Sequence, residues 1–314
     1  MPQGDSSKTP RLGGGLGARF AGLLRRPRPE LRLLPLSRLA EGGRVTTEAA
    51  IRALAGATPF AGNLLLCRVL GRYKLFVEAA DLTLAPHLAL DGYWEWWTTR
   101  FLARNLRRGE AFADAGAGIG YFTLLAADLV GPEGRVLALE PNPQSASLLR
   151  RNVALNGFAE RVTLEEVALA GGGGRLLRLV VPPNSPADAH LLQQDLEASL
   201  APRPVDGRAT QLMRARSLDD LAAERLDFLR LDVGNALESA WDGMQHLLAE
   251  RPALRMLMVF DPHRCAQPAA LLQRVASRFP LRQLHPDGKA RAATAAELLA
   301  EGQVLLYLAK DEPV

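Results

Sequence analysis

The sequence predicts an α/β fold: a doubly wound, mostly parallel sheet covered by helices on both faces. Strand-like and helix-like stretches alternate through the second two-thirds of the chain. The strand-like runs are almost continuously apolar, as strands buried on both faces are. A glycine-rich turn, "DAGAGIGY", follows the first of these runs, where a buried strand would hand over to a helix. Together these features place a ligand site beyond the carboxyl ends of the strands.

Residues 1–45 combine "LGGGLG", "RRPRPELR" and scattered prolines, a composition that buries too little apolar surface to offset its ordering entropy. They read as a basic flexible tail. Within it "ARFAGLLRR" can form a short basic amphipathic helix in weak peripheral contact with an anionic membrane, and the Arg-rich, acid-poor start resembles a transit peptide. A solvated leader is the plainer reading. Residues 46–98 form an N-terminal cap region. "TTEAAIRALAG" opens it as a short helix with a Thr cap, and "NLLLCRVLGRYKLFVEA" reads as a strand or buried helix followed by a strand.

"WEWWTTRFLARNL" is a helix leading into the main domain, residues 99–314. Trp94, Trp96 and Trp97 serve as packing anchors, with the lining of a substrate cleft the lesser reading. Strands then follow at "AFADAG", "RVLALEP", "RVTLEEVAL", "LDFLRLDV", "ALRMLMVFD" and "QVLLYLA", and "NPQSASLLRRNVALNG" is a helix among the earlier ones. The run Gly171–Gly174 is a flexible hairpin connection, since no Lys and Ser or Thr follow to make it a phosphate loop. The Pro-rich polar stretch 181–208 lies at the crevice mouth, where loops set substrate choice, though a solvated loop is the plainer reading.

With 314 residues, 48% hydrophobic and 23% charged, the chain can bury a full core. No apolar run approaches the roughly 20 residues of a membrane helix, so a cytoplasmic location is expected. The first 45 residues hold nine basic and three acidic side chains. Of the net charge of +4 they therefore carry +6, and the remainder carries −2. Such a body is not a nucleic-acid surface. Cys67 and Cys265 are too few for a disulfide framework, and His87, His190, His246 and His285 lack metal-ligand spacing, so no metal is expected.

Gly116, Gly118 and Gly120 are spaced G-x-G-x-G with Tyr121 at the sixth position, which weakens a nicotinamide dinucleotide reading. Asp114, just before the loop and directed at the crevice, would repel a pyrophosphate and attract an ammonium. Glu140, at the end of the next strand, suits the two hydroxyls of a ribose. S-adenosyl-L-methionine carries both a ribose and an ammonium, and small residues let backbone approach it closely.

Residues from "FADAGAGIGYFTLLAADLV" to "LEPNPQSASLLRRNVALNG", then "VTLEEVALA" and "SLDDLAAERLDFLRLDVGNALESAWDGM", resemble the FkbM-type S-adenosylmethionine-dependent methyltransferases over roughly residues 75–262. The resemblance implies a class I, Rossmann-like seven-stranded sheet and O-methylation of a hydroxyl on a sugar, glycan or natural product. It places Asp114, Gly116, Gly118 and Gly120 in the methionine-side loop and Glu140 on the ribose. Asn142 and Val167 or Ala168 would lie beside the adenosine, and Tyr121 and Thr123 at the helix start. The chain departs from the pattern where "DVGN" replaces Asp-Val-Glu-Gly at 232–235. Leu237 stands for a further acid, Arg230 for a lysine and Val259 for a glutamate.

A hydroxyl acceptor must lose a proton, and a placed base adds on the order of a hundred- to ten-thousandfold in rate. Asp232, at a strand's carboxyl end, is the first candidate base. His263 in "FDPHR" is the second. Plainer readings make Asp232 a helix cap and His263 an exposed loop residue. Three functions follow: an O-methyltransferase of small-molecule or glycan acceptors, a catalytically weakened cofactor- or glycan-binding relative, and a nicotinamide-dependent oxidoreductase, which the missing third glycine opposes.

Overall fold

The computed structural model describes residues 33–172, 174–182, 185, 186, 189–192, 210–221 and 225–313. The stretch "ARFAGLLRR", most of the expected tail and most of the Pro-rich 181–208 loop lie outside the described residues.

The chain from Leu34 onward is one compact unit. It opens with α1 (Leu36–Glu41) and α2 (Arg44–Leu54), and Leu34, Leu39 and Ile51 are buried. The expected tail boundary at residue 45 therefore falls inside this unit, because the buried Leu34 and Leu39 anchor it. Helix α2 starts two residues before the expected Thr cap. Gly43 takes the cap position with no side-chain bond, while the Thr46 and Thr47 hydroxyls donate to the Gly43 and Arg38 carbonyls.

The ambiguous stretch after residue 63 is a strand. β1 (Gly56–Phe60), β2 (Leu64–Val69) and β3 (Tyr73–Glu78) form an antiparallel sheet in that order. The β2–β3 connection, residues 70–72, places Leu70 and Gly71 at φ 52° and 60°, and Arg72 N closes the turn by donating to Val69 O (3.0 Å).

The main sheet begins after α3 (Trp96–Asn105) with β4 (Ala111–Ala115), α4 (Tyr121–Val130), β5 (Arg135–Leu139), α5 (Pro143–Leu155) and β6 (Val162–Glu165). The run expected as one strand at 161–169 breaks in two. Its second half, β7 (Ala168–Leu169), joins a separate small sheet with β8 (Leu176–Val180), β9 (His190–Leu191) and β10 (Thr210–Arg216), ordered β7-β10-β8-β9. Because β7 and β8 flank β10, the glycine run joins strands that are not neighbours, contrary to the hairpin expected there. Residue 173 of that run lies outside the described residues.

The sheet resumes with β11 (Phe228–Leu231), β12 (Arg255–Phe260), β13 (Arg282–Leu284), β14 (Ala290–Ala292) and β15 (Val304–Leu308). Its order is β14-β13-β15-β12-β11-β4-β5-β6, with β6, β5, β4, β11 and β12 parallel. The fold is thus the expected class I methyltransferase sheet, a seven-stranded core that gains the short β14 as an eighth, edge strand. After β4 the chain adds strands on one side, and from β11 on the other. The switch point therefore lies between the carboxyl ends of β4 and β11. Successive strand residues enter two different cores: Phe112 and Leu257 pack on one face, and Ala113, Met256 and Met258 on the other.

The cap is stitched to this body through β3, whose outer edge finds side-chain amides in place of another strand. Asn152 of α5 accepts from Phe76 N (2.7 Å) and donates to Phe76 O (3.1 Å), and Asn156 does the same for Lys74 (3.0 and 2.7 Å). Asn152 also donates to Ile119 O (2.8 Å), which ties the cap to the glycine loop. Arg72 and Tyr73 both reach Asp128 on α4, at 2.6 and 2.8 Å.

Candidate functional site

A cavity of about 360 Å³ opens at the switch point, a size typical of small-molecule sites. Gly116, Ala117, Gly118 and Ile119 from the loop after β4 form one wall, with Leu139, Glu140 and Pro141 after β5 and Val167–Leu169 beside them. Arg230, Asp232, Val233 and Gly234 close another wall, and Trp94 and Glu95 reach in from the lead-in to α3.

Each glycine has its own reason. Gly116 has φ 82°, and a Cβ there would lie 1.8 Å from the Asp232 carbonyl oxygen, so β4 and β11 can approach only without a side chain. At Gly118, with φ 55°, a Cβ would meet nothing within 4 Å, so the open space beside this backbone belongs to the cavity. Gly120 packs against Leu149 instead and is not in the cavity wall.

Glu140 is buried. Its Oε2 accepts from Gly118 N (2.7 Å) and its Oε1 from Asn142 N (2.8 Å). Burial pushes its carboxyl up to about 7, against the two backbone donors. Each oxygen keeps a second lone pair, so the carboxylate can still take hydroxyl donors. Asn142 is wholly buried outside the cavity wall, where it caps α5 by accepting from Gln144 N (3.1 Å). Val167 and Ala168 do line the cavity.

Asp114 departs from its expected place. It is fully buried, and it accepts from Thr123 Oγ1 (2.6 Å) and Arg230 Nη1 (3.1 Å) instead of facing the cavity. Arg230 bridges it to the loop and to β11, since Nη1 also donates to Gly116 O (3.3 Å) and Nη2 to Asp232 Oδ2 (2.6 Å). The guanidinium lies 4.3 Å from the Phe122 ring centroid. Burial works against the Arg230 charge, but Asp232, Asp114 and Glu95 hold it above the ordinary guanidinium value. The sequence flagged position 230 only as a departure; its partners were not visible there.

Asp232 lines the cavity with a third of its side chain exposed. His263 is exposed in a short 3-10 turn and is not part of the wall, where its neighbour Arg264 stands instead. Of the tryptophans, Trp96 is buried in the core, Trp97 packs against it, and Trp94 reaches the cavity, which moves it to the lesser of its two expected roles. Sequence reasoning passed over Glu95 and His190, both in the wall. Glu95 stood unmarked among tryptophans, and the sequence around His190 shows no metal-ligand spacing. Asn235 of the altered "DVGN" motif accepts from Leu191 N (3.1 Å) and donates to Leu191 O (2.6 Å), fixing β9 against the cavity. Among the described residues, no group of three or more His, Cys, Asp or Glu comes together as a metal site.

Residues 114–236 match the family described as the methyltransferase FkbM domain. The match covers 123 of the 314 residues. That match spans the glycine loop, Glu140 and the "DVGN" motif, and it implies S-adenosylmethionine as cofactor. The donor set suits that group: an open glycine backbone, a buried carboxylate with free lone pairs, and a buried Arg230 Nε with no partner among the described residues. The chain is also 36% identical over 86 residues to a protein-L-isoaspartate O-methyltransferase of Ignicoccus hospitalis (27% of this chain, 36% of that protein). It is 33% identical over 75 residues to a demethylmenaquinone methyltransferase of Symbiobacterium thermophilum (24% and 30%). It thus spans about a third of the length of these curated relatives. A solved S-adenosylmethionine-dependent O-methyltransferase from Thermotoga maritima aligns over 69% of this chain and 65% of that one, at 17% identity and a TM-score of 0.35.

Proposed function

We propose that this chain is an S-adenosylmethionine-dependent O-methyltransferase acting on a hydroxyl of a sugar, glycan or natural product. Its body, 99–314, would carry the chemistry and its segment 46–98 would cap the site. The observation that carries the reading is the buried Glu140, held by the Gly118 and Asn142 amides in the same cavity as the open glycine backbone. Bound there, S-adenosylmethionine supplies a methyl group on a sulfonium, a leaving group that needs no protonation. Glu140 accepts the ribose hydroxyls, Gly116 and Gly118 admit the cofactor's methionine side, and Val167 and Ala168 flank its adenosine. The chain's main contribution is alignment, worth ~7–11 kcal/mol of barrier when complete.

On the acceptor side, Asp232 takes the hydroxyl proton. His263 has no part, because it stands outside the wall. A small-molecule or glycan acceptor suits a body of net charge −2 better than nucleic acid does. Among the described residues no helix is long and apolar enough to cross a membrane, and a cytoplasmic site of action accords with that. A second reading, a cofactor- or glycan-binding relative with weak turnover, is favoured by one observation: Asp232 is already engaged by Arg230 at 2.6 Å.

The test is calorimetric titration with S-adenosylmethionine and S-adenosylhomocysteine, NAD serving as control, followed by transfer of labelled methyl to panels of glycans and hydroxylated natural products. Micromolar binding with transfer supports the first reading, and binding without transfer supports the second. An absence of binding to either ligand refutes the methyltransferase reading and leaves only the glycan-binding form of the second.

A further inference from the structure

Asp114 was the residue expected to meet the cofactor's ammonium, yet Thr123 and Arg230 occupy it in a fully buried position outside the cavity wall. An amino-acid end entering this cavity must find its carboxylate elsewhere. Glu140 lies at the other end of the loop, between two backbone amides. Asp232 is held by Arg230 Nη2.

Glu95 remains. It lines the same cavity as Arg230 and Asp232. Its backbone has φ 39° and ψ 72°, and it is one of two non-glycine residues with positive φ among those described. A left-handed glutamate is strained by roughly 1–3 kcal/mol and persists only where its surroundings impose it. Those surroundings are visible: Thr98 Oγ1 donates to Glu95 Oε2 (2.8 Å), and Glu95 O accepts from Thr99 N (2.9 Å) as α3 begins. Burial raises its carboxyl above the ordinary value, Asp232 adding to the rise while Arg230, Thr98 and Trp94 oppose it. A cation arriving beside it would relieve that cost.

A second, independent feature lines the same cavity. Arg230 is buried and lines the cavity. Its Nη1 and Nη2 are committed to Asp114, Gly116 and Asp232, and the Phe122 ring lies against its guanidinium. Its Nε is buried with no partner among the described residues. An orphaned guanidinium donor calls for an oxygen acceptor.

We infer that Glu95 and Arg230 form a zwitterion subsite, Glu95 receiving the ammonium and Arg230 Nε the carboxylate of the cofactor's amino-acid end. The inference rests on the cofactor reading above. It makes Glu95 a binding residue supplied by the cap-side lead-in, so the cofactor spans the junction between the segment that ends at residue 98 and the sheet.

Calorimetric titration of the full chain separates the possibilities, with three ligands: S-adenosylhomocysteine, 5′-methylthioadenosine, which lacks the amino-acid end, and decarboxylated S-adenosylmethionine, which keeps only the ammonium. In Glu95→Gln the dissociation constant for S-adenosylhomocysteine and for the decarboxylated ligand should rise about tenfold or more, as loss of a charge-assisted bond does. That for 5′-methylthioadenosine should stay within about twofold, while Glu140→Gln should weaken all three ligands. In the wild type the decarboxylated ligand should bind about tenfold more weakly than S-adenosylmethionine. A Glu95→Gln protein that loses all three ligands equally, or none, overturns the subsite. Wild-type protein that binds none of them overturns the cofactor reading itself, and the subsite with it.

Discussion

Adding one methyl group at Gly116 or at Gly118 should have opposite consequences. Both residues are left-handed, so alanine costs roughly 1–2 kcal/mol at either position. At Gly116 the new Cβ would also lie 1.8 Å from the Asp232 carbonyl, and separating them to ordinary contact means pulling β4 from β11 by more than an ångström. Overpacking of that kind adds about 1–3 kcal/mol, so Gly116→Ala should lose about 2–5 kcal/mol in total. At about 2–4 °C per kcal/mol for a domain near this size, its melting temperature should fall by roughly 5–15 °C. At Gly118 the methyl meets nothing within 4 Å, and stability should drop by no more than about 2 kcal/mol. The same methyl stands in the cavity beside Glu140, so S-adenosylhomocysteine affinity should fall at least about tenfold. Thermal melts and calorimetric titration of the two variants check this. Wild-type affinity in Gly118→Ala, or equal stability of the two variants, would refute the assignment of these glycines to close packing and to ligand space.

Glu140 should make stability pH-dependent. Its folded-state value is raised from 4.5 to about 7, so the native protein keeps a proton that the unfolded chain releases. This contribution is therefore fully present below pH 4.5 and is lost as pH rises through 7, by up to about 3 kcal/mol. Urea unfolding at pH 4.5 and 7.5 should show that fall in the wild type and a shallower one in Glu140→Gln, with Glu95 leaving a residual slope in the same direction. Equal slopes in the two proteins would count against it. Asn152→Ala removes the partners of Phe76 N, Phe76 O and Ile119 O and should cost about 3–5 kcal/mol in urea unfolding; a loss under about 1 kcal/mol would mean that the cap is held some other way.

Six strands of the main sheet, β4, β5, β6, β11, β12 and β15, and the two helices α4 and α5 were legible because those strands lie in short, largely apolar runs closed by turn residues, whereas the short β13 and β14 carry no such run. The glycine loop and Glu140 were legible for a different reason: their chemistry lies in local spacing. What was not legible depends on contacts between distant segments. Nothing within 161–169 shows that the chain changes sheets at Glu166, because β7 is defined by β10, more than 40 residues later. Asp114 looked like a ligand residue until Arg230, 116 residues on, was seen to occupy it. The leucines at 34 and 39 were masked by the prolines and arginines around them.

The altered "DVGN" motif can be weighed in the same terms. Losing two acids from a motif at a strand's carboxyl end suggests a damaged site if each residue is judged alone. In the structure the substitutes have their own work. Gly234 takes φ 54°, a conformation costly for a glutamate there, and it lines the cavity. Asn235 spends both ends of its amide on Leu191, which holds β9 and the neighbouring His190 at the cavity. The motif has exchanged charge for a backbone clamp. Glu95 and Asp232, the latter paired with Arg230, keep acidic groups in the cavity wall. The departure from the family pattern therefore falls on the wall that would shape an acceptor, while the glycine backbone and Glu140 that would hold the cofactor keep their places.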